Sequence, residues 1–258
     1  MLHPTALDRD YRLLHVPSTG STNQDALERA RAGDPGRLWI VADHQSRGRG
    51  RVGRNWSSPV GNLHATLLLR DPCEIRLAPQ LGFVAGVALA RAITALVGPG
   101  RGIAIKWPND ILCNGAKLAG ILVEGTSTPD GGFSTVLGFG LNCTSHPTAL
   151  PYPATHLGAI VGEAGSRDAL LAFLSESVVD ALALWSRGTN FAAIRRVWLD
   201  NALPRGSWLA VAQPAGRQLG KFKAVDDDGR LILETESGCM TVQAGDVFLA
   251  DHGVTAAS

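Results

Sequence analysis

Eight consecutive positions, Arg47 to Arg54, hold four arginines, three glycines and no carboxylate. Guanidinium groups stay charged and present a planar fork of donors that fits carboxylates and phosphates, while glycine lets the backbone approach a ligand closely. The segment, which runs on into Asn55 and Trp56, therefore reads as an anion-binding loop. With no carboxylate inside it, the loop is expected to repel itself and stay mobile until a ligand orders it. Another cation, Lys106, ends the alternating run Ile103-Ala104-Ile105-Lys106, which predicts a strand, and Pro108 keeps Trp107 extended. There Lys106 points opposite to Ile105, either as a surface lysine or as a charge aimed at a site. Hydroxyl and amide groups come earlier, at Ser21-Thr22-Asn23 and at Gln45. Ser21, Thr22 and Asn23 are good helix caps, with Thr22 and Asp25 at capping-box spacing; they also suit a ligand that donates and accepts hydrogen bonds.

The elements that must hold these groups follow from periodicity and turn signals. A short strand at Tyr11–Val16 precedes a helix through Ala26, Leu27 and Ala30 that stops near Gly33-Asp34-Pro35. Arg37–Ala42 reads as a buried strand delivering Gln45 and the arginine loop, and Asn62–Leu69 as the next strand. Leu77–Val97 predicts one long buried helix ended by Gly98-Pro99-Gly100. Asn114-Gly115 predicts a hairpin between Asn109–Cys113 and Ala116–Glu124. In the strand Ser134–Leu141, Gly138 and Gly140 strip one face, for tight packing or a bulge, or for a wall against which a ligand lies. Cys143–Gly158 has no periodicity, and helices are expected at Arg167–Trp185 and Asn190–Asn201. Beyond Gly206 come five short strands: Trp208–Ala212, Gly220–Asp226, Arg230–Glu234, Met240–Ala244 and Val247–Asp251. They predict a small β-barrel, and Pro204 divides the chain into a catalytic unit (1–204) and a C-terminal one (205–258).

Composition narrows the function classes. Lys plus Arg number 24 against 23 Asp plus Glu, so the basic loop is local and a general nucleic-acid binder is disfavoured. The longest apolar run, Leu81 to Ala90, is well short of the roughly 20 residues of a membrane span, and Met1–Arg12 does not read as a signal peptide. A cytoplasmic protein is expected. Cys73, Cys113, Cys143 and Cys239 lie far apart with no metal-ligand spacing, which predicts reduced, packed thiols.

In chain order, Gly48-Arg49-Gly50-Arg51-x-Gly53-Arg54-x-Trp56, Lys106-Trp107-Pro108-Asn109-Asp110, Lys117-Leu118-Ala119-Gly120-Ile121-Leu122-Val123-Glu124 and Gly138-x-Gly140-x-Asn142 together resemble the biotin protein ligases. The resemblance implies an α/β (α+β) fold: a synthetase-like mixed sheet shared with lipoate ligases, plus an SH3-like C-terminal β-barrel. It implies that biotin and ATP, with Mg²⁺ as counter-ion, form biotinyl-5′-AMP, and that biotin then passes to a lysine of a biotin carboxyl carrier domain of acetyl-CoA carboxylase. By matching position, Ser21, Thr22, Asn23, Gln45, Arg49, Gly50, Arg51 and Lys106 fall on the biotin side, with Lys106 and Arg51 catalytic. Arg54, Lys117 and Asn142 fall on the nucleotide side; no residue, Asp110 included, is assigned to the metal. Some members also carry a DNA-binding domain and repress transcription. This chain begins about twenty residues before Ser21, so no repressor function is expected. The oligomeric state, monomer or homodimer, stays open. Arg47 stands where the family has a small residue.

The chemistry asks for these residue types independently. Attack of a carboxylate on the α-phosphorus of ATP brings two anions together, so cations must screen them. A ureido ring offers one acceptor and two donors, which hydroxyls and amides match. The adenylate is a reactive mixed anhydride, so a loop that excludes water is useful, with Trp56 either closing that lid or simply packing in the core. The rivals are a lipoate ligase, whose own glycine-serine signature is missing, and an RNA-binding Arg/Gly segment, which is usually longer and repeated.

Overall fold

The computed structural model describes residues 1–162, 166–213 and 216–250. Its elements are α1 (Pro4–Leu7), β1 (Arg12–Thr19), α2 (Thr22–Arg31), β2 (Leu38–Gln45), β3 (Leu63–Arg70), α3 (Leu81–Val97), β4 (Ile103–Lys106), β5 (Asp110–Cys113), β6 (Ala116–Ser127) and β7 (Phe133–Leu141). There follow α4 (Leu157–Val161), α5 (Arg167–Trp185), α6 (Phe191–Asp200), β8 (Trp208–Gln213), β9 (Gly216–Val225), β10 (Leu231–Thr235), β11 (Gly238–Val242) and β12 (Asp246–Leu249). The seven-stranded sheet has the order β1-β2-β3-β7-β6-β5-β4; β1 and β2 are parallel and the other neighbours antiparallel. It is the mixed sheet the sequence leads one to expect.

Side-chain parity organises this sheet. Because successive residues of a strand face opposite ways, Leu63, Ala65, Leu67 and Leu69 of β3, Ile105 of β4, Ile111 of β5 and Leu137, Phe139 and Leu141 of β7 all enter the large core. That core is built on α3, with α5 and α6 packed against α3. The opposite parity faces α2, whose Ala26, Leu27 and Ala30 pack on Leu38, Ile40, Leu68 and Val136. Toward the other end of the same face the side chains are polar or absent, at Thr66 and Gly138, which meet the first turn of α2, and at Lys106, Asp110, Gly120 and Gly140 beyond it. That bare, polar half-face is where a site can form.

One local difference has a simple cause. The helix expected from Leu77 begins as a 3₁₀ segment, Ile75–Gln80, and becomes α-helical only at Leu81. Pro79 lies inside that segment, and proline cannot donate to the preceding turn or tolerate its carbonyl. The stretches Ile75–Val97 and Arg167–Gly188 are long and apolar enough to span a membrane by length and composition. Here they supply α3 and α5 to the core.

Past α6 the chain builds a five-stranded antiparallel sheet in the order β11-β10-β9-β8-β12. All five expected strands are present. The expected turn at Pro214-Ala215-Gly216 and the end of the last strand at Asp251 lie, Gly216 apart, outside the described residues. This sheet is fastened to the rest of the chain by Trp107, just past β4, whose Nε1 donates to the carbonyl of Gly229 at 3.0 Å, and by Arg195 of α6, paired with Asp227 at 2.6 Å. The fastening leaves β12 beside the bare half-face of the large sheet.

Cys73, Cys113 and Cys143 are buried free thiols, and burial pushes the Cys143 pKa up to about 12. Cys239 corrects the expectation of four packed thiols: it is exposed on β11, where it accepts from Lys223 at 3.1 Å.

Candidate active site

A cavity of about 480 Å³ opens between the bare half-face, the β2–β3 connection, the β7–α4 loop and β12. Ser21, Thr22, Asn23, Gln45, Arg49, Gly50, Arg51, Arg54, Lys106 and Lys117 all line it. Asn142 does not. It is buried behind the wall, its Nδ2 donating to the carbonyl of Thr155 at 3.0 Å, and so it ties the β7–α4 loop to the end of β7.

Ser21, Thr22 and Asn23 start α2, but the capping reading fails. Ser21 is the N-cap residue and its side chain makes no cap hydrogen bond. The hydroxyl and amide of this turn are used across the structure instead. The backbone N–H and the hydroxyl of Thr22 donate to Gln45 Oε1 at 2.9 and 3.0 Å, and Gln45 Nε2 donates to Ser58 at 2.9 Å. Thr66 Oγ1 lies 2.7 Å from both Thr22 Oγ1 and Asn23 Oδ1, while Asn23 Nδ2 donates to Leu122 O and to Glu124. Asn23 thus spends both N–H groups inside the protein. Among the described residues the Ser21 hydroxyl has no hydrogen-bond partner, so it is the group of this turn left to meet a ligand.

The glycines of β7 carry this packing. A methyl at Gly138 would overlap the Asn23 side-chain amide, and one at Gly140 would stand 2.5 Å from Trp56 Nε1. Gly120 of β6 pairs with Gly140 and lies under the same indole. In this state the stripped face therefore receives side chains rather than a ligand, and Trp56 lies on the sheet as a plug. Its Nε1 is buried without an acceptor, so no hydrogen bond fixes it there. Gly138→Ala should cost about 1–3 kcal/mol, the usual penalty for overpacking a tight interior. Urea denaturation checks it, and an unchanged midpoint would mean that Asn23 moves aside freely.

The arginine loop is less bare than its sequence suggests. Arg49 and Asn55 form an antiparallel bridge, and the Gly50 N–H donates to the Arg54 carbonyl, so the segment is a small hairpin. Arg49 pairs with Glu124 of β6 at 3.1 Å and Arg54 with Asp246 of β12 at 2.5 Å. Arg51 is half-buried and donates to Asn109 Oδ1 and to the carbonyl of Gly245, both at 3.3 Å. Counter-charges come from distant elements, which corrects the expectation of an unpaired, self-repelling loop. These pairs are partly exposed, however, and such pairs contribute only about 0–1 kcal/mol each.

Lys106 is no surface residue: it is 8% exposed, on the parity opposite Ile105. Its Nζ lies 2.9 Å from Asp110 Oδ2 and donates to the carbonyl of Val247, while Lys117 Nζ is 2.6 Å from Asp110 Oδ1. A register shift between Ile111 and Leu112 sets Lys117 opposite Leu112, on the cavity side. Burial pulls the Lys106 pKa below the usual lysine value, against the pull of Asp110. Burial opposes the Asp110 charge too, yet Lys106 and Lys117 hold its carboxyl below the usual range. Asp110, passed over as a ligand in the sequence, is thus the anchor of both lysines. Its signal was a lone carboxylate in the apolar run Trp107–Cys113. Thr66 left a similar trace as the one hydroxyl in a leucine-rich strand; Asp246 left none.

The finished cavity holds Arg49, Arg51, Arg54, Lys106, Lys117 and Arg217 against the carboxylates of Asp110 and Asp246. Aromatic rings border the cations, with Lys117 Nζ 5.6 Å from the Trp56 ring and 5.5 Å from the Tyr152 ring. A pocket with this excess of fixed cations beside a hydrogen-bonding turn suits a ligand bearing several negative charges and a neutral polar head.

Residues 16–142 match the Biotin/lipoate A/B protein ligase family, and residues 211–250 match the Biotin protein ligase C terminal domain. The chain is 38% identical to the biotin–[acetyl-CoA-carboxylase] ligase of Paracoccus denitrificans, over 89% of this chain and 97% of that one. It is 34% identical to the protein of the same name from Mycobacterium tuberculosis, over 90% and 86%. Its fold is similar to that of the biotin protein ligase from Aquifex aeolicus in complex with biotin and ATP, with a TM-score of 0.78 and 24% identity over 93% of this chain and 99% of that one.

Proposed function

The chain belongs to the biotin protein ligase family, and from that premise we propose that it joins biotin to ATP as biotinyl-5′-AMP, then hands the biotinyl group to one lysine of a biotin carboxyl carrier domain. The observation that carries this reading is the cavity itself. It gathers, from five separated stretches of sequence, the hydrogen-bonding turn and the cations that the reaction needs.

In the opening step a biotin carboxylate oxygen bonds to the α-phosphorus and the bond from that phosphorus to the α,β-bridging oxygen breaks, so that pyrophosphate leaves with the electron pair. Negative charge grows on the phosphoryl oxygens, and Lys106 and Arg51 are our choice for the groups that meet it. Both at present donate to backbone carbonyls next to Asp246, in the places a ligand's oxygens would take. Ser21, Thr22, Asn23, Gln45, Arg49 and Gly50 would hold the rest of biotin, with Asn23 acting through Glu124 and Thr66 as a post. Arg54 and Lys117 would serve the nucleotide, and Asn142 would act only by fixing the loop that carries Tyr152. Among the described residues no three His, Cys, Asp or Glu side chains gather as a metal site, and both oxygens of Asp110 face lysines. Magnesium would arrive as the counter-ion of the triphosphate. We also propose the domain division near Pro204, supported by the change from helices to a separate five-stranded sheet.

Release of pyrophosphate that requires biotin, and is not supported by lipoate, tests the reaction; mass spectrometry of a carrier domain incubated with biotin and ATP tests the transfer. Pyrophosphate released equally with lipoate would overturn the substrate assignment. The arginine hairpin gives another expected result. Its ion pairs are weak and the indole N–H of its Trp56 plug has no acceptor, so biotin plus ATP should order it over the adenylate. Trypsin should then cut after Arg47, Arg49, Arg51 or Arg54 in the free protein and several-fold more slowly in the liganded one. Equal cutting rates would show that the hairpin does not close.

A further inference from the structure

Val52 stands at the tip of the arginine hairpin in the left-handed region, with φ 53° and ψ 38°. Among the described residues it is the only β-branched one there; the other non-glycine cases are Asp, Asn, Arg and Ser. β-Branched side chains are strongly disfavoured in that conformation. The side chain also gains nothing by burial, being 84% exposed. A valine that is costly for the backbone and unburied in the free protein is explained by a contact made in a complex. Its place says which. Arg51 and Arg54 on either side turn into the cavity, so the valine stands on the rim. Leu249, on the C-terminal sheet, lines the same cavity and is 39% exposed.

We propose that Val52, with Leu249, forms the apolar part of the docking surface for the acceptor protein, against the acceptor surface surrounding its target lysine. This rests on the ligase reading above. A lysine side chain spans only about 6 Å from Cα to Nζ. To reach an acyl group inside the cavity, the acceptor must therefore bring its own surface down onto the rim. In the transfer the lysine nitrogen bonds to the acyl carbon, the acyl carbon–oxygen bond to phosphate breaks, AMP leaves with the electron pair and the amine proton goes to solvent. None of these steps uses Val52. Its effect belongs to acceptor binding alone.

Val52→Asn and Val52→Asp test this, because both residue types tolerate the left-handed conformation and the hairpin keeps its shape. Three rates are measured for each: biotin-dependent pyrophosphate release, biotinyl transfer to hydroxylamine, which is too small to touch the rim, and transfer to a carrier domain over a range of concentrations. The expected result is unchanged pyrophosphate release and unchanged hydroxylamine transfer. KM for the carrier domain should rise about threefold for Val52→Asn and about tenfold for Val52→Asp, as for loss of an apolar contact without and with a buried charge. An unchanged carrier KM overturns the proposal, as does an equal loss in all three rates, which would make Val52 a prop for the loop. Sedimentation at assay concentrations completes the test: a parent dimer that Val52→Asp turns into a monomer would make the rim an interface between two copies instead. Failure of the ligase reading would look different, since the parent protein would then release no pyrophosphate with biotin.

Discussion

Lys106→Met should lower single-turnover formation of biotinyl-AMP by about 10²–10³ at saturating biotin and ATP, the usual loss when one preorganised electrostatic stabiliser is removed. Methionine keeps much of the volume and removes the charge at the point where the two anions meet. Lys106→Arg should also be impaired, because a larger planar fork does not fit the space between Asp110 and the Val247 carbonyl that holds a compact ammonium. The fold should survive. Asp110 still has Lys117 at 2.6 Å from its other oxygen, and the methionine relieves the burial cost that already depresses the Lys106 pKa. A melting temperature lowered by only a few degrees, beside a hundredfold slower adenylation, is the expected pair of results. Near-normal adenylation by a well-folded Lys106→Met would remove Lys106 from the reaction and weaken the assignment of the whole cavity.

That Lys106 could be singled out from sequence is a matter of period. The alternation of Ile103, Ile105 and Trp107 fixes a strand, a strand fixes parity, and parity sends Lys106 away from the core. The same rule put Gly138 and Gly140 on one face, although what fills the space they leave, Asn23 and Trp56, could not be read locally. Where reading failed, the missing information was long-range. The loop arginines looked unpaired because their carboxylates, Glu124 and Asp246, lie on strands far along the chain. Ser21, Thr22 and Asn23 looked like caps because local capping is what such residues do when nothing else competes, and here Gln45, Thr66 and Glu124 compete successfully. Asn142 fell on the nucleotide side only through its match to the last position of Gly138-x-Gly140-x-Asn142. The strand ends at Leu141, the parity ends with it, and the side chain turns back to brace the next loop.

Asp110→Asn should be the most destabilising single change in the site. The carboxylate is buried between two ammonium groups, and taking the charge away leaves Lys106 and Lys117 facing each other in a poorly solvated space. Removing one partner from a buried ionic cluster typically costs about 3–5 kcal/mol. At roughly 2–4 °C per kcal/mol for a chain of this size, the melting temperature should fall by about 10 °C. Adenylation should fall with it, since neither lysine would then be held in place. The pH dependence separates the charge from the shape. Asp110 has a folded pKa held below its ordinary value, so its contribution is complete above the unfolded carboxyl pKa of about 3.9 and is lost as pH falls through the lower folded value. The gap in stability between the parent and Asp110→Asn should therefore be constant from about pH 5 to 7 and narrow below about pH 4. Denaturant titrations of both proteins across that range decide the matter. A variant as stable as the parent at neutral pH, or a gap that stays constant into strong acid, would mean that Asp110 fills space and does not neutralise the lysines.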